Sequence, residues 1–333
     1  MHKPRFKGKH YDVGYHHGNF IYKKGVKIEQ YFNLTKEKEE FGIKCIGECE
    51  KVFPEVLEEI RGLADGTKTE YQDFASFILC MYCFEFQNWC TCFAFKDDNS
   101  IVFGRNSDFA VSIEEQYESA FYNLEGGYSF IGNSTAMVQM EDGINEHGLA
   151  AGLTFNNLEV TKPGLNAGIL VRYILEKCKT VTESLEHLAI MPVASAQTLT
   201  IVDKTGDMVV VECNCEKTVV IRPKDNENFV VTANHFVSAD MQQYQHNEEL
   251  YADYRSKDRY QTAYSTLKTR NDYSIELAQD ILSGKYGFMC QYDRSKGLDT
   301  VWSSVYDLKN NKIYRAEGNP SRVKFKKDNR LQF

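Results

Sequence analysis

The chain has 333 residues, 42% of them hydrophobic and 26% charged, an ordinary balance for a globular protein and length enough for about two domains or one large one. Its 47 acidic residues against 39 basic ones leave a formal charge of −8, which lends nothing to nucleic-acid binding. The longest near-continuous apolar stretch, Phe74 to Phe84, is too short to cross a bilayer, and no apolar block of a secretory signal follows the basic start. These observations predict a soluble, cytoplasmic protein with no nucleic-acid or membrane partner.

Tyr11 to Tyr22 reads as a first helix. From Thr35 to Phe84 the pattern stays helical: Phe41, Cys45, Cys49 and Val52-Phe53 recur at three- and four-residue steps. Val56, Ile60 and Leu63 continue it after Pro54, which opens a new helix at a position where its missing N–H costs nothing. Gly66 is read as the stop of that helix. Thr69-Glu-Tyr-Gln-Asp73 then leads into a largely buried helix made of the apolar run.

Near residue 90 the signals turn to strands. Ser100 to Phe103, Thr135 to Val138 and Gly148 to Phe155 are strand candidates separated by glycine-containing turns. Helices follow over Ala167 to Lys179 and Thr182 to Ile190. A hairpin is predicted next, from Thr198-Leu-Thr-Ile-Val202 through the turn Asp203-Lys-Thr-Gly206 to Met208-Val-Val-Val211, continued by strands at Thr218 to Ile221 and Phe229 to Val231. Arg255 to Leu267 and Ile275 to Leu282 read as helices, and Val301 to Leu308 with Lys312 to Arg315 as a last hairpin. Blocks of strands between paired helices predict an α+β fold of sheets layered between helices, not a βαβ repeat.

The 10 cysteines, in a long chain without a secretory signal, are read as thiols, most of them small core hydrophobes. The close pairs are Cys80/Cys83, Cys90/Cys92 and Cys213/Cys215. Cys80 and Cys83 sit inside the apolar run with no His nearby in sequence, so they are poor candidates for zinc ligands.

Four stretches carry chemistry: Asn88-Trp-Cys90-Thr-Cys-Phe-Ala-Phe95, Phe103-Gly-Arg105-Asn-Ser-Asp108-Phe109, Asp142-Gly-Ile-Asn145-Glu-His-Gly-Leu149 and Val231-Thr-Ala-Asn234-His-Phe236. Together they resemble the N-terminal-nucleophile (Ntn) amide hydrolases that include penicillin V acylase and the choloylglycine hydrolases. The resemblance is closer still to the acyl-coenzyme A:6-aminopenicillanate acyltransferase branch. Lys9-His-Tyr-Asp-Val-Gly14-Tyr-His-His-Gly18 and Gly62-Leu-Ala-Asp-Gly66 are similar to segments of that branch's leader.

The resemblance implies a four-layer αββα Ntn-hydrolase sandwich preceded by a helical leader, with residues 1–89 as propeptide or small subunit and 90–333 as the catalytic core. It implies a precursor cleaved between Trp89 and Cys90, which leaves Cys90 as a new N-terminus. The residue types suit that chemistry. A cysteine thiol titrates at about 8.5 and an α-amino group at about 7.7 to 8, so Cys90 would carry nucleophile and general base together. By the resemblance Arg105 supplies positive charge beside the thiolate and Asp108 accepts from the new ammonium or from Arg105. Asn234 aims its NH₂ at the oxyanion, and Asn145 assists the oxyanion or the α-amine. Cys92 is read as packing.

The implied substrate is a small N-acyl amide or acyl thioester, with no cofactor and no metal. Two features differ from the relatives. Trp89 stands where the penicillin acyltransferase has Gly, and the late-chain Arg of bile salt hydrolases has no match near Leu298-Asp-Thr-Val-Trp302. Two other readings stay open from sequence: an unprocessed, non-catalytic binding homologue, and a redox or metal protein built on Cys80, Cys83, Cys90 and Cys92.

Overall fold

The structure is a computed structural model and describes residues 1–84, 88–156, 160–245 and 254–331. Its elements, in chain order, are β1 (Arg5–Gly8), α1 (His10–Lys23), α2 (Lys36–Val52), α3 (Pro54–Thr67), α4 (Tyr71–Cys80), β2 (Trp89–Lys96), β3 (Ile101–Ala110), β4 (Glu118–Leu124), β5 (Phe130–Ser134), β6 (Asp142–Asn145) and β7 (Ala150–Phe155). Then come α5 (Ala167–Lys177), α6 (Val181–Leu188), β8 (Gln197–Val202), β9 (Met208–Cys213), β10 (Thr218–Ile221), β11 (Phe229–Thr232), α7 (Ser256–Thr269), α8 (Ile275–Leu282), β12 (Leu298–Asp307), β13 (Lys312–Ala316) and β14 (Lys326–Asp328).

The strands form an eight-stranded sheet, β1-β4-β5-β6-β7-β8-β9-β10, and a six-stranded sheet, β11-β2-β3-β12-β13-β14. Side chains alternate between the faces of a strand, so a sheet apolar on both faces needs cover on both sides. Along β2 that alternation is direct. Cys92 and Ala94 join Phe103, Ile131, Ile144 and Val210 in the core between the sheets. Phe93 and Phe95 point the other way, to Ala263 and Leu267 of α7 and Ile281 of α8. The opposite face of the larger sheet packs Leu153, Leu199 and Val211 with residues of α2 to α5. The layers are therefore helix, sheet, sheet, helix, as expected.

Residues ahead of Trp89 are built into this sandwich. β1 pairs in parallel with β4, from Arg5 opposite Phe121 to Gly8 opposite Leu124, and so forms the edge of the larger sheet. The sequence reading has no strand there. Glycines let α1 and α3 cross with backbones touching. A Cβ on Gly14 would stand 2.0 Å from the Glu59 carbonyl oxygen, and one on Gly66 would stand 2.4 Å from that of Tyr15. Gly66 is thus a contact glycine inside α3; the helix runs to Thr67 and ends at left-handed Lys68. Buried polar contacts then tie α1 and α3 to α5: Arg172 pairs through Nη2 with Glu59 at 2.7 Å and through Nε with Glu176 at 2.9 Å, and His10 Nε2 is hydrogen-bonded to Glu176 at 2.8 Å.

Two strand expectations are corrected. Residues 135–138 form bends and turns after β5, and the Ser134 hydroxyl accepts from the Ala136 N–H there. β11 does not extend the β8–β9 hairpin; it pairs with β2 in the other sheet, which brings Asn234 to the start of β2.

Candidate active site

Cys90 shares the parity of Cys92, so its side chain enters the layer between the sheets, where it is fully buried. On the neighbouring strand β3, Arg105 stands opposite Cys92 and Ser107 opposite Cys90. The Arg105 Nη2 donates to Cys90 Sγ at 2.7 Å. The rest of the guanidinium is held on three sides, by the Leu153 carbonyl at 3.0 Å, by Asp142 at 3.0 Å and by Glu141 at 3.2 Å. Asp142 is itself fixed by Trp302 Nε1 at 2.9 Å and by Asn133 Nδ2 and the Tyr306 hydroxyl. Gly152 leaves room for this group, since a Cβ there would lie 3.1 Å from Arg105 Cδ. Burial pushes the Cys90 thiol up, Arg105 pulls it back, and Glu141 and Asp108 push it up again.

Asn234 reaches the same residue from the end of β11. Its Oδ1 accepts from the Cys90 N–H at 2.8 Å, so the amide that would become the α-amine is already held. Its Nδ2 donates to the carbonyls of Phe155 at 2.7 Å and Asn88 at 3.2 Å. In the uncut chain that amide group faces backbone oxygens, which differs from the expected free oxyanion donor. The Trp89 ring lies against that of Tyr254, with centroids 3.9 Å apart and planes tilted by 57°.

Asp108 is buried at the site, but among the described residues its hydrogen bonds do not include Arg105. The reason is periodicity: three residues apart on a strand, the two side chains leave opposite faces. Asp108 instead accepts from Thr300 Oγ1 at 2.5 Å and the Tyr292 hydroxyl at 2.9 Å, and faces Arg259 Nη1 at 4.0 Å. Burial raises its carboxyl, against the pull of Arg259.

The same parity corrects Asn145. It lies three positions after Asp142 on β6, so Asp142 turns to Arg105 and Asn145 turns to α5. Its Nδ2 donates to the Leu175 and Cys178 carbonyls at 3.0 and 2.7 Å, and its Oδ1 accepts from the backbone N–H groups of His147 and Leu149 at 3.1 Å each. All the hydrogen-bonding capacity of this amide closes a turn and a helix end.

Sequence reasoning missed two charged groups here. Arg259 donates to the Cys90 carbonyl, to Thr91 Oγ1 at 2.8 Å and to Asn234 Oδ1 at 3.0 Å. Its signal was a guanidinium on the buried stripe of α7 beside Thr262, Ala263 and Thr266. Glu141 accepts from Arg105, from Ser107 Oγ at 2.9 Å and from Asn88 Nδ2 at 3.2 Å. Cys92 is core, its thiol pushed up to about 12 by burial. Cys80 and Cys83 donate to the carbonyls of Lys38 and Leu79, at 3.1 and 3.6 Å, and burial raises both thiols, that of Cys80 to about 12.

A sequence model of the family described as acyl-coenzyme A:6-aminopenicillanic acid acyl-transferase matches residues 95–322. The chain belongs to this family. The matched span holds Arg105, Asp108, Glu141, Asn234 and Arg259, and begins just beyond Cys90. No curated protein sequence matches the chain. Among solved structures it is similar to a mutant of the conjugated bile acid hydrolase from Clostridium perfringens, at 16% identity over 73% of this chain and 97% of that one, with a TM-score of 0.51. It is also similar to a Caenorhabditis elegans ortholog of N-acylethanolamine-hydrolyzing acid amidase (16% identity, 66% of this chain, 93% of that chain, TM-score 0.49). A third is penicillin V acylase from Agrobacterium tumefaciens (18%, 68% and 83%, TM-score 0.45). The fold is that of the Ntn hydrolases, and membership of the family supports an enzyme of the acyltransferase or amidohydrolase kind. Among the described residues no helix is long and apolar enough to cross a membrane.

Proposed function

We propose that the chain is a self-cleaving N-terminal-cysteine enzyme that hydrolyses or transfers the acyl group of a small N-acyl amide or acyl thioester. The observation that carries this reading is one residue held at both reactive ends: Cys90 Sγ lies 2.7 Å from Arg105 Nη2 while its own amide N–H lies 2.8 Å from Asn234 Oδ1. In cleavage, Sγ bonds to the carbonyl carbon of Trp89, the Trp89–Cys90 C–N bond breaks, and the thiol proton ends on the nitrogen. Water then hydrolyses the thioester, giving a Trp89 carboxylate and a free α-amine on Cys90.

That amine becomes the base of the mature site. It takes the thiol proton as Sγ attacks a substrate carbonyl, and returns it to the leaving amine. The product is an acyl thioester on Cys90, discharged by water or by a second amine. Arg105 favours the thiolate with a fixed charge. Asn234 Nδ2, once the Asn88 carbonyl is no longer tied to Cys90, can donate to the substrate oxyanion, a contact worth about 3 kcal/mol in comparable sites. Arg259, which faces Asp108, holds the Cys90 carbonyl and the Thr91 hydroxyl in place.

Residues 1–89 are on this reading a small subunit that stays bound after cleavage, because β1, Glu59 and His10 are built into the larger sheet and the polar contacts with α5. The test uses two variants of purified protein. Cys90→Ala abolishes cleavage and amide hydrolysis together, while Cys92→Ser cleaves normally. Loss of cleavage in Cys92→Ser with retention in Cys90→Ala would overturn the assignment.

A further inference from the structure

Asn88 lies one residue before the proposed cut, is buried, and belongs to the piece that cleavage detaches from Cys90. Its Oδ1 is 2.7 Å from Cys90 Sγ and its Nδ2 is 3.2 Å from Glu141 Oε2. The orientation of this amide is not arbitrary. Glu141 Oε2 also accepts from Arg105 Nη2 and Ser107 Oγ, so it is an acceptor oxygen and the NH₂ of Asn88 must face it. The amide oxygen is then left facing sulfur. An oxygen acceptor stabilises S–H and repels S⁻, in opposition to Arg105 on the other side of the same atom.

We propose that Asn88 caps the Cys90 thiol of the uncut chain: aimed by Glu141, its amide oxygen takes the S–H hydrogen bond and opposes the loss of the proton that attack on the Trp89 carbonyl requires. This rests on the self-cleavage reading and adds to it a positioning residue that lies on the departing side of the bond. Cleavage then does more than expose an amine. It severs the covalent link that holds the cap over the thiol, so the charge of Arg105 is no longer opposed. The charged and titratable groups that act on Cys90 from the neighbouring elements are Arg105 and, through the strand from its other face, Asp108 on β3, Glu141 ahead of β6, Cys92 on β2 and Tyr82 after α4, with Arg259 of α7 on its carbonyl. Tyr82 also meets Asn88. Beside them Asn88 supplies the one uncharged oxygen acceptor found on Sγ among the described residues.

The experiment is the pH profile of cleavage of full-length chain, followed by the appearance of the fragment that begins at Cys90. Asn88→Leu fills the volume without an acceptor. It lowers the pH midpoint of cleavage by about one unit, so that the rate below the midpoint rises roughly tenfold. Asn88→Asp sets a carboxylate beside Sγ and Glu141 and moves the midpoint up. If Asn88→Leu does not fold, Asn88→Ala takes its place with the same expected direction. A midpoint that stays put while the rate falls equally at every pH would show a mere scaffold and overturn the cap. If the wild-type chain cleaves at no pH, the self-cleavage reading has failed, and the cap is then read on the intact chain from its S–H stretching band, isolated by subtracting Cys90→Ser. The band moves to higher frequency in Asn88→Leu; a band that does not move overturns the cap.

Discussion

Two arginines, Arg105 and Arg172, are fully buried and each pairs with two carboxylates, yet they do different things. Arg172 is closed: Nη2 goes to Glu59, Nε to Glu176 and Nη1 to the Val138 carbonyl, and the ring of Tyr122 lies 4.2 Å from its guanidinium carbon. Arg105 is held by Leu153, Asp142 and Glu141 in much the same way, but Nη2 is also turned to a thiol. A buried ion pair is weak evidence for stability or for function by itself. What separates a fastener from a working group is whether one donor is left for an atom that can react.

The comparison breaks first at the arginines themselves. Removing one partner of a buried pair leaves uncompensated charge, so Arg105→Met and Arg172→Met should each cost about 3 to 5 kcal/mol in urea unfolding. Only Arg105→Met should also stop cleavage, slowing it by at least about a hundredfold. Equal slowing in both would dissolve the distinction.

Acid should act next, and on the fastener. Burial pushes the Glu176 carboxyl up, but Arg172, His10 and Lys177 outweigh it and bring it down to about 2 from an ordinary 4.5. A depressed carboxylate contributes its full stability above its ordinary value and loses it as pH falls towards the folded one. Stability should therefore drop by roughly 3 kcal/mol between pH 4.5 and 2, and Glu176→Gln, less stable to begin with, should show a flatter profile over that window.

Asn145 gives a smaller effect. Asn145→Ala removes the amide that closes the turn after β6 and the end of α5, at a cost of about 1 to 3 kcal/mol, with cleavage unchanged. A stable variant that fails to cleave would return Asn145 to the reaction. Smallest is Thr35→Ala, which removes the hydroxyl that accepts from Lys38 N–H at the start of α2, about 1 kcal/mol and no change in cleavage.

Much of this molecule is legible in its sequence, and the limits have physical causes. The helix predicted over Ile275 to Leu282 matches α8 at both ends because apolar residues three and four apart mark one face there. The β8–β9 hairpin follows from β-branched runs around a glycine-containing turn. The stretches around Cys90, Arg105, Asp108 and Asn234 do meet at one place. Face assignment was harder. The motif Asp142-Gly-Ile-Asn145 drew attention to the amide, whereas strand alternation sends the aspartate to Arg105. β1 was invisible because Arg5-Phe-Lys-Gly8 is short and at a sheet edge, where one buried Phe6 suffices. Arg259 and Glu141 were missed because their partners are far away in sequence, and a lone charge in an amphipathic segment looks like surface until its neighbours are known.

The central claim is that Cys90 is released by its own chemistry. Intact mass of freshly purified protein under denaturing conditions, with N-terminal sequencing of each fragment, tests it most directly. The account predicts two pieces, the larger beginning Cys90-Thr-Cys-Phe. A single uncut chain across the pH range, in folded protein, would contradict it.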